Sequence, residues 1–169
     1  NQVIADLTGI EAFEALHYLN CGFNNISVVD LSQNINLDTL SLNHNQLSSI
    51  DINNNINLIY FYVDGNQLTH LDITNNTLLK EFDCSHNEIE DLNLSNNIDL
   101  LKVVLEGNQL SNLDVSQNTL LNYLACSENQ LTNLDVSSNP NLVVIAAYEN
   151  QLTSMDISQN ASLIAADFE

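Results

Sequence analysis

The sequence predicts a mainly β solenoid of about eight coils, with a parallel sheet along one side and few or no helices. One observation is an asparagine that recurs every 21 residues. Another is a set of apolar residues at fixed distances before it, such as Leu142 and Ile145 before Asn150. A fixed period of this size is typical of stacked coils that share one core. The recurring asparagines are Asn24, Asn45, Asn66, Asn87, Asn108, Asn129 and Asn150.

The first half of each period contains a predicted strand, directly before its asparagine. The segment has the form L-x-x-L-x-L-x-x-N, so two apolar residues, such as Leu40 and Leu42, stand two apart. Residues two apart share one face of an extended strand. Stacked coils would pair these strands in parallel, about 4.8 Å apart. The asparagine follows where the strand turns, and its amide can donate and accept hydrogen bonds for the turn backbone.

The second half of each period repeats the same spacing. The spacing L-x-x-L-x-L-x-x-N occurs again here, for example in Leu131, Leu134, Val136 and Asn139. This pattern predicts a second turn and a second strand-like segment on the other side of each coil. The second asparagine column consists of Asn34, Asn55, Asn76, Asn97, Asn118, Asn139 and Asn160.

These nested motifs resemble the leucine-rich repeat family, in the bacterial subclass with 21-residue repeats. The first coil, with Ile4, Leu7 and Ile10, is similar to the internalin-type repeat. The resemblance implies a right-handed solenoid, a hydrogen-bonded ladder formed by the first asparagine column, and a sheet whose outward face binds ligands. Residues 1–169 are expected to form one domain, as a fragment or module of a longer chain. The stretch 10–16 is expected to form a short helical turn.

The composition limits the partners. The net charge is −20, and Lys80 and Lys102 are the only fixed positive charges. Such a surface repels nucleic acid and anionic lipid. No apolar stretch reaches the roughly 18 residues that a membrane helix needs, so membrane insertion is not expected. The shortage of lysine and arginine favours a secreted or cell-surface bacterial protein, and no cofactor is predicted.

The outward positions of the predicted strands carry all five tyrosines. Tyrosine offers a rigid apolar face and a polar tip, which suits recognition, although exposed tyrosines also simply favour strands. Tyr60 and Tyr62 point the same way on one strand, near three acidic residues. Glu81 and Lys102 are predicted to form an ion pair between adjacent strands. The candidate ligand-binding residues are Tyr18, Tyr60, Tyr62, Asp64, Glu81, Asp83, Tyr123 and Tyr148.

The second half-repeat carries a column of aspartates one coil apart. Neighbouring carboxylates repel by about 1 kcal/mol in water. Hydration or hydrogen bonds from serine and turn N–H groups would keep this cost small, and the regular recurrence favours that interpretation. Calcium between neighbouring carboxylates is the alternative, because hard cations bind several oxygens. The candidate calcium ligands are Asp51, Asp72, Asp114 and Asp135.

The remaining reactive residues predict no catalytic or metal site. The histidines have no zinc-site spacing, and Cys21, Cys84 and Cys126 share an inward slot but lie too many coils apart for a disulfide. No catalytic triad, phosphate loop or cleft with two carboxyl groups is predicted. The sequence therefore predicts a non-enzymatic protein-binding module, with a basic partner favoured. A carbohydrate-binding module, or a spacer attached to a secreted enzyme or adhesin, remains the alternative.

Overall fold

The computed structural model describes residues 3–169, which form a solenoid of parallel strands. A 3₁₀ turn, Ile10–Ala12, precedes the strands, so the helical turn expected over residues 10–16 is confirmed for the first three of them. Eight three-residue strands form one sheet in sequential order. They are β1 (Tyr18–Asn20), β2 (Thr39–Ser41), β3 (Tyr60–Tyr62), β4 (Glu81–Asp83), β5 (Lys102–Val104), β6 (Tyr123–Ala125), β7 (Val144–Ala146) and β8 (Ala165–Asp167).

Every strand pairs with the next one in parallel and without a shift in register. Leu40 pairs with Phe61, and Phe61 pairs with Phe82, which is the predicted step of one repeat. The central residue of each strand faces the core, while the flanking residues face outward. The 21-residue period therefore places equivalent residues in straight columns along the sheet.

The core is a continuous stack of apolar side chains between the sheet and the second half of each coil. Phe61 and Phe82 are fully buried, and their rings stack with centroids 5.8 Å apart. The cysteines are free thiols, as their spacing predicted. Burial raises the pKa of Cys126 to about 12, so this thiol acts as an apolar core residue rather than a nucleophile.

The first asparagine column forms the predicted ladder. The Nδ2 group of Asn66 donates to the carbonyl of Val63 in its own coil and to that of Leu42 in the preceding coil, both at 3.0 Å. Its Oδ1 accepts from the N–H of Leu47 at 3.0 Å. The same pattern recurs at Asn45, Asn87, Asn108, Asn129 and Asn150. Each of these side chains therefore joins two coils through buried backbone groups.

The second half-repeat is not strand-like, so that part of the prediction is wrong. Its chain runs through two consecutive turns, in which the N–H of Asn55 bonds to the carbonyl of Ile52 and the N–H of Leu58 bonds to that of Asn55. Adjacent coils are joined here mainly by the second asparagine column. Asn76 Nδ2 donates to the carbonyls of Ile52 and Asn55 at 3.2 and 2.8 Å. Turn closure withdraws these backbone groups from the pairing that a second sheet would need.

The residue before each ladder asparagine adopts a left-handed backbone conformation. This column contains five non-glycine residues with φ between 50° and 58°, together with Gly65 and Gly107 at 63° and 67°. The conformation turns the chain out of each strand and into the asparagine. L-residues adopt it at a cost of about 1–2 kcal/mol. The non-glycine members are Phe23, His44, His86, Glu128 and Glu149.

Candidate functional site

The outward face of the sheet displays the tyrosines as predicted. None of them is buried, whereas the central residues of β1 to β7 are. Tyr18 is the most open, with 60% of its surface exposed, and Tyr60 follows with 37%. The sheet therefore places aromatic rings at solvent-facing positions on several coils.

Five of the candidate residues form one contiguous surface, which we call the Tyr60 patch: Tyr60, Tyr62, Asp64, Glu81 and Asp83. Tyr60 lies beside Glu81, and Tyr62 lies beside Asp83, on paired strands. The Tyr62 hydroxyl donates to Glu81 Oε2 at 3.1 Å. Burial, followed by the negative charge of Glu81, raises the pKa of Tyr62 to about 12. The phenol therefore stays protonated and keeps its proton directed at the carboxylate.

The two aspartates of the patch differ in their hydrogen bonding. Asp83 Oδ1 accepts from the backbone N–H and the hydroxyl of Ser85, at 3.0 and 2.7 Å. Asp64 lies beside His44, whose Nε2 is 3.5 Å from Asp64 Oδ2. Burial, followed by the nearby charge of Asp83, raises the pKa of Asp64. Asp64 therefore takes up a proton more readily than an isolated aspartate does.

The predicted ion pair between Glu81 and Lys102 does not form. The two residues are paired in register on β4 and β5, but within residues 3–169 no lysine lies within 4.0 Å of a carboxylate oxygen. Glu81 accepts the Tyr62 hydroxyl instead. Lys102 turns the other way, and its Nζ lies 5.4 Å from the centroid of the Tyr123 ring, within cation–π range. Glu81 and Lys102 therefore each contact a neighbouring tyrosine instead of each other.

The other three candidate tyrosines lie apart from the Tyr60 patch. Tyr18 is on the first strand, where its hydroxyl accepts from Asn20 Nδ2 at 3.4 Å. Tyr123 packs under Lys102, and the hydroxyl of Tyr148 donates to Glu106 Oε1 at 3.1 Å, two coils away. The sheet therefore brings five of the predicted residues together and leaves three at separate places along the face.

The sequence-based selection missed residues at the edge of this face. Phe23 is 71% exposed, and its ring lies 4.5 Å from the His44 ring. Both residues occupy the left-handed column, so they project from the turn beside the sheet. The same column position before each ladder asparagine could have identified them. Their side chains extend the candidate surface beyond the strand residues.

The aspartate column is hydrogen-bonded within its own turns. Asp114 Oδ1 accepts from the N–H of Ser116 at 2.9 Å, and Asp135 does the same with Ser137. These backbone hydrogen bonds are the main reason that the pKa of each aspartate is lowered. Asp51 and Asp72 also accept from the N–H two residues later. These bonds confirm the favoured interpretation, in which turn N–H groups hydrogen-bond the aspartates.

Calcium binding to the aspartate column stays a prediction. Within the described part of the chain, no group of three or more His, Cys, Asp or Glu residues has the arrangement of a metal site. The hydrogen bonds to Oδ1 of Asp114 and Asp135 orient these carboxylates but do not neutralise their charges.

A surface depression lies on the second half-repeats, away from the strands. It has a volume of about 500 Å³ and is lined by Leu71, Asp72, Thr74, Asp91, Leu92 and Asn93, among others. Its Asp72 has a lowered pKa, because Thr74 donates to it through its hydroxyl and backbone N–H. A general acid needs the opposite shift. Asp72 in this depression is therefore not suited to act as a general acid.

Comparison with solved structures gives bacterial relatives of the same fold. The functional domain of InlJ from Listeria monocytogenes, described as including a cysteine ladder, is 32% identical over 98% of this chain, with a TM-score of 0.56. A leucine-rich-repeat protein of Leptospira interrogans is 26% identical over 92%, with a TM-score of 0.85. The internalin InlF of Listeria monocytogenes is 25% identical over 100%, also with a TM-score of 0.85.

The chain spans 46%, 43% and 59% of the lengths of those three proteins, respectively, which is less than two thirds of each. No protein-family model matches the sequence, and comparison with curated proteins finds no match. Within residues 3–169, no helical segment has the length and apolar character that a bilayer crossing requires. The repeat length, the parallel sheet and the three structural neighbours agree on the fold. The chain is therefore a leucine-rich-repeat solenoid with internalin-like repeats of about 21 residues, and its structural neighbours are bacterial leucine-rich-repeat proteins.

Proposed function

We propose that the chain is a non-enzymatic, extracellular protein-binding module, and that it binds through the outward face of the sheet with the Tyr60 patch at the centre. The observation that carries this proposal is the position of Tyr60 and Tyr62 on one exposed strand, beside acidic residues of the next strand. Tyrosines of this kind supply contact area with little loss of side-chain freedom. The leucine-rich-repeat neighbours support an interaction module.

The charges of the patch favour a partner with a basic surface. Asp64, Glu81 and Asp83 lie within it, and no lysine pairs with them among the described residues. Their negative field adds to a chain of net charge −20, which speeds the approach of a basic protein and repels an acidic one. Affinity for such a partner should fall as salt is added, because exposed charges are screened.

Site-specific photo-cross-linking tests the proposal directly. A benzophenone amino acid is placed at position 60 of one sample and at position 135 of another, and each is irradiated with host-cell surface proteins. Position 135 is the matched control, since Asp135 is exposed on the second half-repeat, away from the strands. Proteins joined at each position are identified by mass spectrometry.

The proposal predicts one protein that is joined at position 60, is not joined at position 135, and is displaced by an excess of unlabelled wild-type chain. The same excess of the Tyr60→Ala, Tyr62→Ala variant should displace it poorly. Cross-linking from position 135 alone would assign binding to the other side of the solenoid. Equal displacement by wild type and variant would remove the Tyr60 patch from the contact surface.

A further inference from the structure

Tyr148 closes over the sheet face at a second place, three coils from the Tyr60 patch. Its hydroxyl donates to Glu106 Oε1, although Glu106 lies two coils away. Ser127 occupies the same column on the coil between them and is fully buried. The Tyr148 side chain must pass the Ser127 coil to reach Glu106, so it covers an outward-facing serine.

The Ser127 hydroxyl has no hydrogen-bond partner, which is unusual for a fully buried group. The equivalent Ser85, two coils earlier, donates to Asp83 Oδ1 at 2.7 Å. Two residues before Ser127, in the position of Asp83, the chain has Ala125, which is 3% exposed. Ser127 therefore lacks the local acceptor that Ser85 has, although its hydroxyl lies under the tyrosine side chain. Its hydroxyl can donate one hydrogen bond and accept others.

The surroundings of this covered serine are negative. Glu106, Glu128 and Glu149 are close enough for their charges to act on Tyr148, and the hydrogen bond to Glu106 is the main reason that its pKa is raised. Within residues 3–169 no lysine lies within 4.0 Å of these carboxylates. The site therefore combines an unbonded hydroxyl, a carboxylate held by a neutral phenol, and uncompensated negative charge.

We propose that Glu106, Ser127 and Tyr148 form a subsite for an arginine side chain of the protein partner, with Tyr148 occupying it until the partner binds. The inference rests on the proposed function. A guanidinium group replaces the phenol hydroxyl at Glu106 and exchanges a neutral hydrogen bond for a charged one. Its remaining N–H groups reach the Ser127 hydroxyl, which accepts from them. The displaced Tyr148 ring becomes a flat wall for the planar cation.

Arginine fits this subsite better than lysine. Guanidinium presents five donors in a rigid plane, so one group can bond Glu106 and Ser127 together while it stacks on Tyr148. An ammonium group is a compact charge with no flat face, and water holds it more strongly. A subsite that only concentrated negative charge would not distinguish the two cations.

The test is an NMR titration of the ¹⁵N-labelled chain with N-acetylarginine amide, and separately with the lysine analogue. The proposal predicts that arginine amide shifts the amide signals of residues 125–127 and 148, and binds at least about threefold more tightly than the lysine compound. Glu106→Gln should weaken arginine binding about tenfold. Tyr148→Phe should strengthen it about threefold, because the competing hydroxyl is gone. Asp135→Asn removes the same charge from the opposite side and should change nothing.

Equal shifts with arginine and lysine, spread over the acidic surface and abolished by salt, would overturn the subsite. Weaker binding to Tyr148→Phe than to wild type would also overturn it, since the Tyr148 hydroxyl would then contact the arginine instead of competing with it. If a partner cross-links at position 60 while arginine amide leaves the signals of residues 125–127 and 148 unshifted, the proposed function stands and the subsite falls. If arginine amide binds as expected but no partner cross-links, the arginine subsite stands and the proposed function falls.

Discussion

At the scale of single residues, the two asparagine columns do different work. Both ends of the Asn66 amide are hydrogen-bonded. Its Nδ2 donates to carbonyls of its own coil and of the preceding coil, and its Oδ1 accepts from the Leu47 N–H. Asn76 donates to two carbonyls, but its Oδ1 is buried without a partner, as are the equivalent oxygens along its column. A buried polar atom without a partner lowers the net benefit of the side chain that carries it.

Alanine at position 66 should therefore destabilise the chain more than alanine at position 76. Asn66→Ala leaves the buried Leu47 N–H without its acceptor, while the Leu42 and Val63 carbonyls keep Asn45 and Asn87 as donors. Asn76→Ala removes two donated hydrogen bonds, but it also removes the unpartnered Oδ1. The expected difference is about 1–3 kcal/mol in the free energy of unfolding. Urea denaturation of both variants measures it. An equal or larger loss of unfolding free energy in Asn76→Ala would show that the second asparagine column stabilises the stacking of the coils at least as much as the first.

At the scale of structural elements, turns position the sheet face more than the short strands do. Each coil leaves its strand through a left-handed residue, and His44 in that column lies over Gly65 of the next coil. A Cβ atom at Gly65 would lie 2.5 Å from His44 Nδ1. The His44 side chain beside Asp64 thus depends on the absence of a side chain at Gly65.

Gly65→Ala should destabilise the chain by about 1–2 kcal/mol from its left-handed backbone alone, plus the cost of moving His44. Part of this loss should disappear in a His44→Ala background, because the displaced ring is then absent. A double-mutant cycle in urea gives the coupling between the two positions. Additive effects would mean that the ring moves aside freely and that Gly65 does not hold it in place.

The aspartate turns of the second half-repeat should make stability sensitive to acid. The folded-state pKa values of Asp114 and Asp135 are lowered by hydrogen bonds, so their contribution is present above the unfolded pKa and is lost as pH falls through the folded pKa. The change should therefore appear below about pH 4. Asn93 already fills the same turn position as a neutral acceptor, bonded by the Ser95 N–H at 3.0 Å.

The Asp114→Asn, Asp135→Asn variant should lose less stability than wild type between pH 7 and pH 3. The urea midpoint at each pH is the measurement. Asp64→Asn is the contrasting control: the raised pKa of Asp64 means that protonation favours the folded state, so this variant should lose at least as much as wild type. The account of the turns fails if the double variant is as acid-sensitive as wild type.

At the scale of the whole molecule, self-repulsion opposes the stacking of the coils. The chain carries a net charge of −20, and its aspartates recur on every coil but one. Neighbouring members of the column, about 4.8 Å apart, lie within the Debye length of about 10 Å at 0.1 M salt. Hydrogen bonding orients these carboxylates but leaves their charges in place.

Salt should therefore raise the melting temperature. Raising sodium chloride from about 0.02 to about 0.3 M screens the column and the rest of the surface, and thermal unfolding followed by circular dichroism measures the shift. Calcium chloride and magnesium chloride at equal ionic strength should act alike. A larger shift with calcium would support the calcium site at Asp51, Asp72, Asp114 and Asp135, and a fall in melting temperature with sodium chloride would contradict the role assigned to self-repulsion.

Much of this architecture was predictable because the same inward and outward positions recur in every period of the sequence. One period of the pattern determines which residues face inward, so Phe61 and Phe82 in the core and Tyr60 and Tyr62 outside follow from a single register. Side-chain geometry between coils does not repeat in this way. Lys102 contacts the Tyr123 ring and not Glu81, and the Tyr148 hydroxyl bonds to Glu106 across the Ser127 coil. These contacts depend on neighbouring outward residues, which differ from coil to coil. The second strand failed as a prediction because the same apolar spacing fits a chain of turns.

The central claim is that the sheet face, and the Tyr60 patch in particular, makes the contact with the protein partner. Its most direct test is the affinity of the cross-linked partner for Tyr60→Ala, Tyr62→Ala and for Asp114→Asn, Asp135→Asn, measured by calorimetry. We expect at least a tenfold loss for the tyrosine variant and an unchanged affinity for the aspartate variant. Unchanged affinity of the tyrosine variant, with a loss in the aspartate variant, would contradict the account.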